Sequence, residues 1–148
     1  MLALAFTATC GVIKLVFDKP KKYYSWDEYN DDIYKLSENL NFEPSVIIGI
    51  ARGGLVPAVQ LSHILGRPLV VATWQTRDGG VKEKIKIPDY ALIVDDINDS
   101  GLTLTQFTKG VKTKFQTLTM FSKDSSQYTV DYYAKKAEDD QWIVFPWE

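Results

Sequence analysis

The chain has little cysteine: Cys10 is the only one among its 148 residues. No disulfide can form within it, and a reducing, cytoplasmic setting is the default. It also lacks a strong charge of either sign, with 17 Lys and Arg against 19 Asp and Glu, a net charge of −2. Without a basic footprint, neither nucleic acid nor an acidic membrane surface is expected as a partner, and any phosphate-binding site has to be local. No apolar stretch reaches the roughly 20 residues that span a bilayer. Met1 to Cys10 is apolar and rich in small residues, and Thr7-Ala8-Thr9-Cys10 faintly suggests a lipoprotein cleavage site. No basic residue precedes that run, however, and it continues through Val12, Ile13, Leu15, Val16 and Phe17, so a buried strand is the stronger expectation. Repeats, low-complexity tracts and Pro/Gly-rich linkers are missing too. Residues 1–148 therefore read as one domain, long enough to bury a core.

What is present is patterned. Val12 to Phe17 is rich in β-formers. Ser25 and Glu28 have the spacing of a capping box, and Trp26, Tyr29, Ile33, Leu36 and Leu40 follow at helical spacing on one apolar face. Val46 to Ile50 is a short continuous apolar run of the kind that parallel strands buried on both faces show. Ala51-Arg52-Gly53-Gly54 interrupts it. A helix is expected from Leu55, with Pro57 in its first turn and Gly66 as its stop. His63, the sole histidine, sits inside that helix near Leu61 and Leu65 and reads as structural. Leu69 to Ala72 reads as a strand, and residues 74–88 as a hairpin with Asp78-Gly79-Gly80 at its tip. Lys82, Lys84 and Lys86 alternate with apolar residues on its second arm. Ala91 to Val94 is another buried strand. Leu104, Phe107, Val111 and Phe115 then repeat at helical spacing, and Thr117 to Phe121 is a further strand. Strands alternating with helices imply an α/β fold with a mostly parallel twisted sheet flanked by helices. Ligands of such sheets bind at the carboxyl ends of the strands, where the two unusual loops, 51–54 and 95–103, both lie.

The second of those loops carries the strongest chemical signal. A hydrophobic strand delivers two adjacent carboxylates, Asp95 and Asp96, and Ser100-Gly101-Leu102-Thr103 then leads into a helix. Free backbone N–H groups at that helix start can hold a phosphate, helped by the hydroxyls of Ser100 and Thr103. The carboxylates can accept hydrogen bonds from a sugar diol or face a magnesium ion. An acidic pair beside a phosphate cradle suits a sugar phosphate. In the first loop, the glycines allow close backbone approach and Arg52 offers a charge suited to phosphate oxygens. Gly49, Gly53 and Gly54 do not fall at the dinucleotide spacing G-x-G-x-x-G, and no Gly-Lys-Ser/Thr follows to make a P-loop.

Together, Val94-Asp-Asp-Ile-Asn-Asp-Ser-Gly-Leu-Thr103 and Ile50-Ala-Arg-Gly-Gly-Leu-Val-Pro57 resemble two signatures of the type I phosphoribosyltransferases. These are the loop that binds 5-phosphoribosyl-1-pyrophosphate (PRPP) and the pyrophosphate loop. The resemblance runs from about Tyr23 to the C-terminus and is strongest to the xanthine/guanine/hypoxanthine branch. Tyr23 to Trp26, Met120-Phe-Ser-Lys123 and Trp142-Ile-Val-Phe-Pro-Trp147 match the motifs of that branch. It implies the family fold, with a flexible flap at 74–88 and a small base-binding hood at 123–148. It also implies transfer of the phosphoribosyl group of PRPP to a 6-oxopurine in purine salvage, with release of pyrophosphate. Asp95 and Asp96 would meet the ribose hydroxyls, directly or through water and Mg²⁺, and Asp99 would help manage the proton at the base N7. Asn98, Asp99, Ser100, Gly101, Leu102 and Thr103 would surround the 5′-phosphate. Ala51, Arg52 and Gly53 would hold pyrophosphate, in a loop that in this family often has a non-proline cis peptide. Lys123 would donate to the purine 6-oxo group, Trp142 would stack on the ring, and the backbone of Ile143 would meet its 2-position. A homodimer or homotetramer is implied as well.

Several positions depart from that pattern. Ser100 stands where Thr is commoner, Leu102 where Gly or Lys is frequent, and Asp124 where Pro commonly follows the lysine. Residues 1–20 precede the usual family start, and the chain stops at Glu148, where relatives continue. Two other schemes account for part of the sequence. A PRPP- or nucleotide-sensing regulator would keep the fold without turnover, but Asp95, Asp96 and Asp99 are retained here. A phosphoacceptor signalling domain would use an acidic pair and a strand-end lysine such as Lys123, but it has no use for Arg52-Gly53-Gly54.

Overall fold

The structure is a computed structural model that describes residues 4–9, 12–17, 19–76 and 80–148. The first two strands described, β1 (Leu4–Thr9) and β2 (Val12–Phe17), pair antiparallel. β3 (Lys21–Tyr23) leads into α1 (Trp26–Glu38). The capping box forms as expected: Glu28 N donates to Ser25 Oγ at 3.1 Å, and Ser25 N donates to the Glu28 carboxylate at 3.0 Å. α1 buries Tyr29, Ile33 and Leu36, whereas Trp26 stays half exposed and Leu40 lies beyond the helix end. β4 (Val46–Ala51), α2 (Leu55–Leu65) and β5 (Leu69–Thr73) follow. α2 ends on Gly66 at φ 62°, a left-handed conformation that glycine adopts without a Cβ penalty. His63 is exposed on its last turn.

β6 (Ala91–Asn98), α3 (Leu102–Phe107), β7 (Phe115–Lys123), β8 (Tyr132–Ala137) and β9 (Trp142–Val144) complete the chain. The main sheet has the order β5-β4-β6-β7-β8, and all its neighbours are parallel. One face packs on α1 and α2 through Ile47, Leu92, Val94, Leu118 and Met120. The other packs on α3, Trp74 and Ile87 through Ile48, Ile50 and Ile93. Burial on both faces explains why β4 and β6 read as continuous apolar runs rather than alternating ones. Each fully buried side chain of this kind contributes about 1.5–3 kcal/mol of transfer free energy. The sheet order reverses between β4 and β6, and their pairing ends at Gly49–Val94. Beyond that point the strands part, which opens a crevice between Ala51 and Asp95 at the switch point where α/β sheets bind ligands.

Two expectations are corrected. The helical spacing of Leu104, Phe107, Val111 and Phe115 is not one helix: α3 stops at Phe107, the chain turns at Gly110 (φ 78°), and Phe115 opens β7. Val111 and Phe115 still pack on the cluster that holds Leu104 and Phe107, so all four serve one core from different elements. The 74–88 hairpin is short. Trp74 bridges Lys82, Gln75 N donates to Val81 O and Glu83 N to Thr73 O. Past Glu83 the second arm forms no ladder, and Ile87 instead fills the core. Its expected tip includes Asp78 and Gly79, which lie outside the described residues.

Candidate functional site

β6 projects its last residues past the point where β4 leaves it, and the acidic pair lies there. Asp95 is buried, and its Oδ1 accepts from Asp96 N at 2.9 Å; Asp96 Oδ1 accepts from Ile97 N at 2.8 Å. Burial pushes the Asp95 carboxyl well above the usual carboxylate range, and the Asp96 charge adds to the shift. Asp96 is raised too, again chiefly by burial. Burial thus disfavours the charged forms of the pair, which a cation or hydroxyl donors would stabilise.

The Ala51-Arg52-Gly53-Gly54 turn folds back over this strand end. A Cβ on Gly54 would come within 2.9 Å of Asp95 Cα, and one on Gly53 within 2.8 Å of Asp96 Oδ1. Only residues without side chains let the loop lie this close. The Ala51–Arg52 peptide is cis, as the family resemblance implies, and the Arg52 side chain is exposed. On the other side, Gly101 starts α3 at φ 83° with no side-chain cap on the helix. Ser100 Oγ accepts from Leu102 N at 3.2 Å, leaving the next amides of the first turn free for a ligand.

Three hollows meet at Asp96. One, of about 350 Å³, is lined by Ile50, Ala51, Trp74, Thr76 and residues 95–104. A second, of about 270 Å³, lies among Asp99, Lys123, Trp142, Ile143 and Phe145. The third, of about 520 Å³, opens beside Arg52, Gly53 and Trp147. Ser100 to Thr103 line the first hollow, Lys123, Trp142 and Ile143 the second, and Arg52 and Gly53 the third, whereas Ala51, expected at the pyrophosphate with them, lines the first; Asp96 is common to all three. Asp99 belongs to the first two.

Lys123 is only 4% exposed at the end of β7, and its Nζ lies 2.9 Å from Asp99 Oδ1 and donates to Asp139 O at 3.3 Å. The residues expected to read the base and to take its proton thus form an ion pair with each other. Trp142 remains 44% exposed beside them, while Ile143 is buried. β9, which carries both, pairs parallel with β3, and Trp142 N donates to Pro20 O at 2.8 Å. Phe145 and Trp147 stack behind, with centroids 4.9 Å apart. Asp124 turns away to Lys136, at 3.2 Å.

Asn98 is placed differently from its expected role. Its side chain is buried, donating to Ser122 Oγ and Tyr128 O and accepting from Ser126 Oγ. It lines the first hollow, but its amide is committed to the turn after β7 and its backbone is paired with Ser122 in the sheet. Trp74 and Thr76, which follow β5 at the same sheet end, fall within the 74–88 segment expected as a flap but are not singled out in the sequence as lining the site, and Ser122, Ser126 and Tyr128 have no expected role. The position of Trp74 just past a strand end was a usable signal; the serines and Tyr128 had none.

The raised carboxyls make a stability prediction. A group whose folded pKa lies above its unfolded value costs nothing where both states are protonated. The cost sets in as pH rises past the ordinary carboxylate value and is complete above the raised one. Asp95→Asn should therefore raise Tm at neutral pH, with the gain fading as pH falls below about 4. Thermal melts of both proteins across that range check it; a pH-independent difference would show that charge burial is not the cause.

The phosphoribosyl transferase domain family matches residues 21–148. The xanthine-guanine phosphoribosyltransferase of Cereibacter sphaeroides is 31% identical over 144 residues, covering 85% of this chain and 86% of that protein. The enzyme of the same name from Chromohalobacter salexigens is 30% identical over 135 residues, with 84% and 82% covered. Among solved structures, the purine phosphoribosyltransferase of Pyrococcus horikoshii superposes with a TM-score of 0.73 at 36% identity, covering 86% of this chain and 93% of that one. The xanthine-guanine-hypoxanthine phosphoribosyltransferase of Helicobacter pylori gives the same TM-score at 24% identity, with 87% and 93% covered, and shows the likeness of fold.

Proposed function

Because the chain belongs to the phosphoribosyl transferase family, we propose that it moves the 5-phosphoribosyl group of PRPP onto a 6-oxopurine (hypoxanthine, guanine or xanthine) and releases pyrophosphate. The observation that carries this reading is the meeting at Asp96 of a phosphate cradle, a base hollow with a buried lysine, and an arginine-bearing loop. PRPP has a 5′-phosphate and a pyrophosphate, which suit the first and third hollows, and a ribose diol, which suits the acidic pair between them. Its C1 then lies at the junction, facing the hollow that holds Lys123 and Trp142.

In this reading the Ser100–Thr103 loop holds the 5′-phosphate through its N–H groups and hydroxyls, and Asp95 and Asp96 accept from the ribose hydroxyls. Arg52 and the open backbone of Gly53 take the pyrophosphate. Positive charge builds on the ribose as the C1–O bond to pyrophosphate breaks, and the adjacent carboxylates favour it. Asp99 accepts the proton that leaves the base as its ring nitrogen attacks C1. Residues 74–88 would close over PRPP and exclude water, which would otherwise hydrolyse it.

A Mg²⁺ ion also belongs to the proposal. No group of three or more acidic, histidine or cysteine side chains gathers for a metal among the described residues. The two raised carboxyls therefore suit an ion that draws most of its oxygens from PRPP and water, the habit of magnesium at phosphate sites. When bound, it would neutralise charge on the departing pyrophosphate. We place the protein in the cytoplasm on its single cysteine, and expect a homodimer or homotetramer, which light scattering would test. Among the described residues, no helix is long and apolar enough to cross a membrane.

The test is a PRPP-dependent assay with hypoxanthine, guanine, xanthine, adenine and uracil. Turnover of at least one 6-oxopurine and none of uracil is expected. Tight PRPP binding with no turnover of any base would instead indicate a sensor. Trp142→Ala should weaken binding of the preferred base by about 1–3 kcal/mol, the usual worth of stacking on an aromatic ring. Lys123→Ala should narrow the preference for hypoxanthine over adenine. Unchanged base affinity and choice in both variants would reduce the 123–148 segment to core.

A further inference from the structure

Lys123 and the phosphate cradle are built on different strands, yet one short turn touches both. That turn, residues 124–128, leaves the end of β7 directly after Lys123. Gln127 N donates to Ser100 O at 3.0 Å, so the turn is hydrogen-bonded to the cradle backbone. Gly101 lies against it so closely that a Cβ there would come within 2.5 Å of Ser126 Oγ and 2.6 Å of Tyr128 N. At the centre is the Ser126 hydroxyl. It donates to Asn98 Oδ1 at 2.7 Å and accepts from Tyr128 N at 3.1 Å. Asn98 in turn donates to Ser122 Oγ at 3.0 Å and to Tyr128 O at 2.7 Å. The amide thus bridges the end of β6, which carries Asp99 and the cradle, and the end of β7, which carries Lys123. The Lys123–Asp99 ion pair, at 2.9 Å, is a second link between the same two strand ends.

We propose that Ser126, acting through Asn98, is a positioning residue that holds the 5′-phosphate cradle and the base-reading Lys123 in one register. The proposal rests on the phosphoribosyl transfer described above. Neither side chain touches the reacting atoms. The phosphate loop cannot shift without moving Asn98, and Asn98 cannot shift without moving the turn that follows Lys123. Filling of the cradle by PRPP therefore sets the geometry that the base meets, and each ligand favours the other's site by the same factor.

The test is steady-state kinetics of the full chain, with PRPP and the preferred purine both varied, for wild type, Ser126→Ala, Ser126→Thr and Ser62→Ala. Loss of the hydroxyl should raise KM for PRPP and for the base together, each by about 3–10-fold, the span that one lost hydrogen bond allows. kcat at saturation should stay within about twofold. Ser126→Thr keeps the hydroxyl and should return both KM values toward wild type. Ser62 donates to the carbonyl of Val59 on α2, remote from the site, and its alanine variant should match wild type. A merely structural defect lowers the active fraction, and with it the apparent kcat, while leaving both KM values alone. That pattern, or a rise in only one KM, overturns the proposal. If Ser126→Ala does not fold, Asn98→Asp tests the same joint, because it keeps the acceptor for Ser126 but loses the donors to Ser122 and Tyr128; unchanged KM values there overturn it equally. Absence of purine turnover by the wild-type protein would refute the transfer reaction itself, an outcome distinct from an active enzyme whose KM values ignore Ser126.

Discussion

Gly101→Val is expected to remove PRPP binding, with affinity falling by at least 100-fold, a change of about 2.7 kcal/mol. Two separate effects lead there. Gly101 sits at φ 83°, where a side chain costs on the order of 1–2 kcal/mol and a β-branched one is a clear outlier. There is also no room: a Cβ would press on Ser126 Oγ at 2.5 Å and on the backbone of Tyr128 at 2.6 Å. Relief requires moving the cradle loop, the turn after β7, or both. The first movement would displace the N–H groups proposed to hold the phosphate, and the second would disturb Lys123. Gly101 lies outside the strands of the sheet, and the core residue it presses on, Tyr128, packs only at the edge of one cluster, so the sheet and its helices should survive with a lowered Tm. Calorimetric titration of PRPP into the folded variant checks this, and wild-type affinity would remove the 5′-phosphate from this loop. Gly101→Ala should show a smaller loss in the same direction.

Asp99→Asn should lower kcat by roughly 10²–10⁴-fold while leaving PRPP affinity nearly unchanged, the range that a positioned acid-base group contributes. Asparagine keeps the shape of the side chain and a hydrogen-bonding oxygen but cannot accept the proton that leaves the base. The structure adds a second consequence. Asp99 is the counter-ion of Lys123, which is almost fully buried and, among the described residues, otherwise donates only to Asp139 O at 3.3 Å. Its removal leaves a buried ammonium without an opposing charge, so some loss of Tm should accompany the loss of rate. Because Asp99 is itself half exposed, solvent screens much of that penalty. Rates therefore have to be normalised to folded protein. Asp96→Asn provides the contrast: it lines all three hollows, and both PRPP affinity and kcat should fall. Equal, small losses in both variants would deny Asp99 a chemical role.

Much of this protein is determined locally and is legible from the sequence alone. The capping box at Ser25, the stop at Gly66, the apolar runs of β4 and β6 and the two strand-end loops all depend on residues within a few positions of one another. Helix caps, left-handed stops and doubly buried strands follow from such short-range chemistry, so pattern and structure agree there. The loops that carry Arg52 and Asp95 to Thr103 fall at the same end of the sheet because parallel strands place all their carboxyl ends together.

Only the tertiary structure decided the rest, and in each case the reason is long range. β3 and β9 are three residues each, too short to show a period, and they become strands only because Lys21–Tyr23 meets Trp142–Val144 across most of the chain. The spacing of Leu104 to Phe115 satisfies a helix, but it satisfies equally a short helix, a glycine turn and a strand that bury the same residues in one cluster. Asn98 looks like a phosphate ligand in sequence; the packing of the 124–128 turn against β6 directs its amide inward instead. The ion pair between Lys123 and Asp99 is likewise invisible until β6 and β7 lie side by side, because 24 positions separate the two residues in the chain. Residue type and spacing determined which groups are available; the sheet decided which of them face one another.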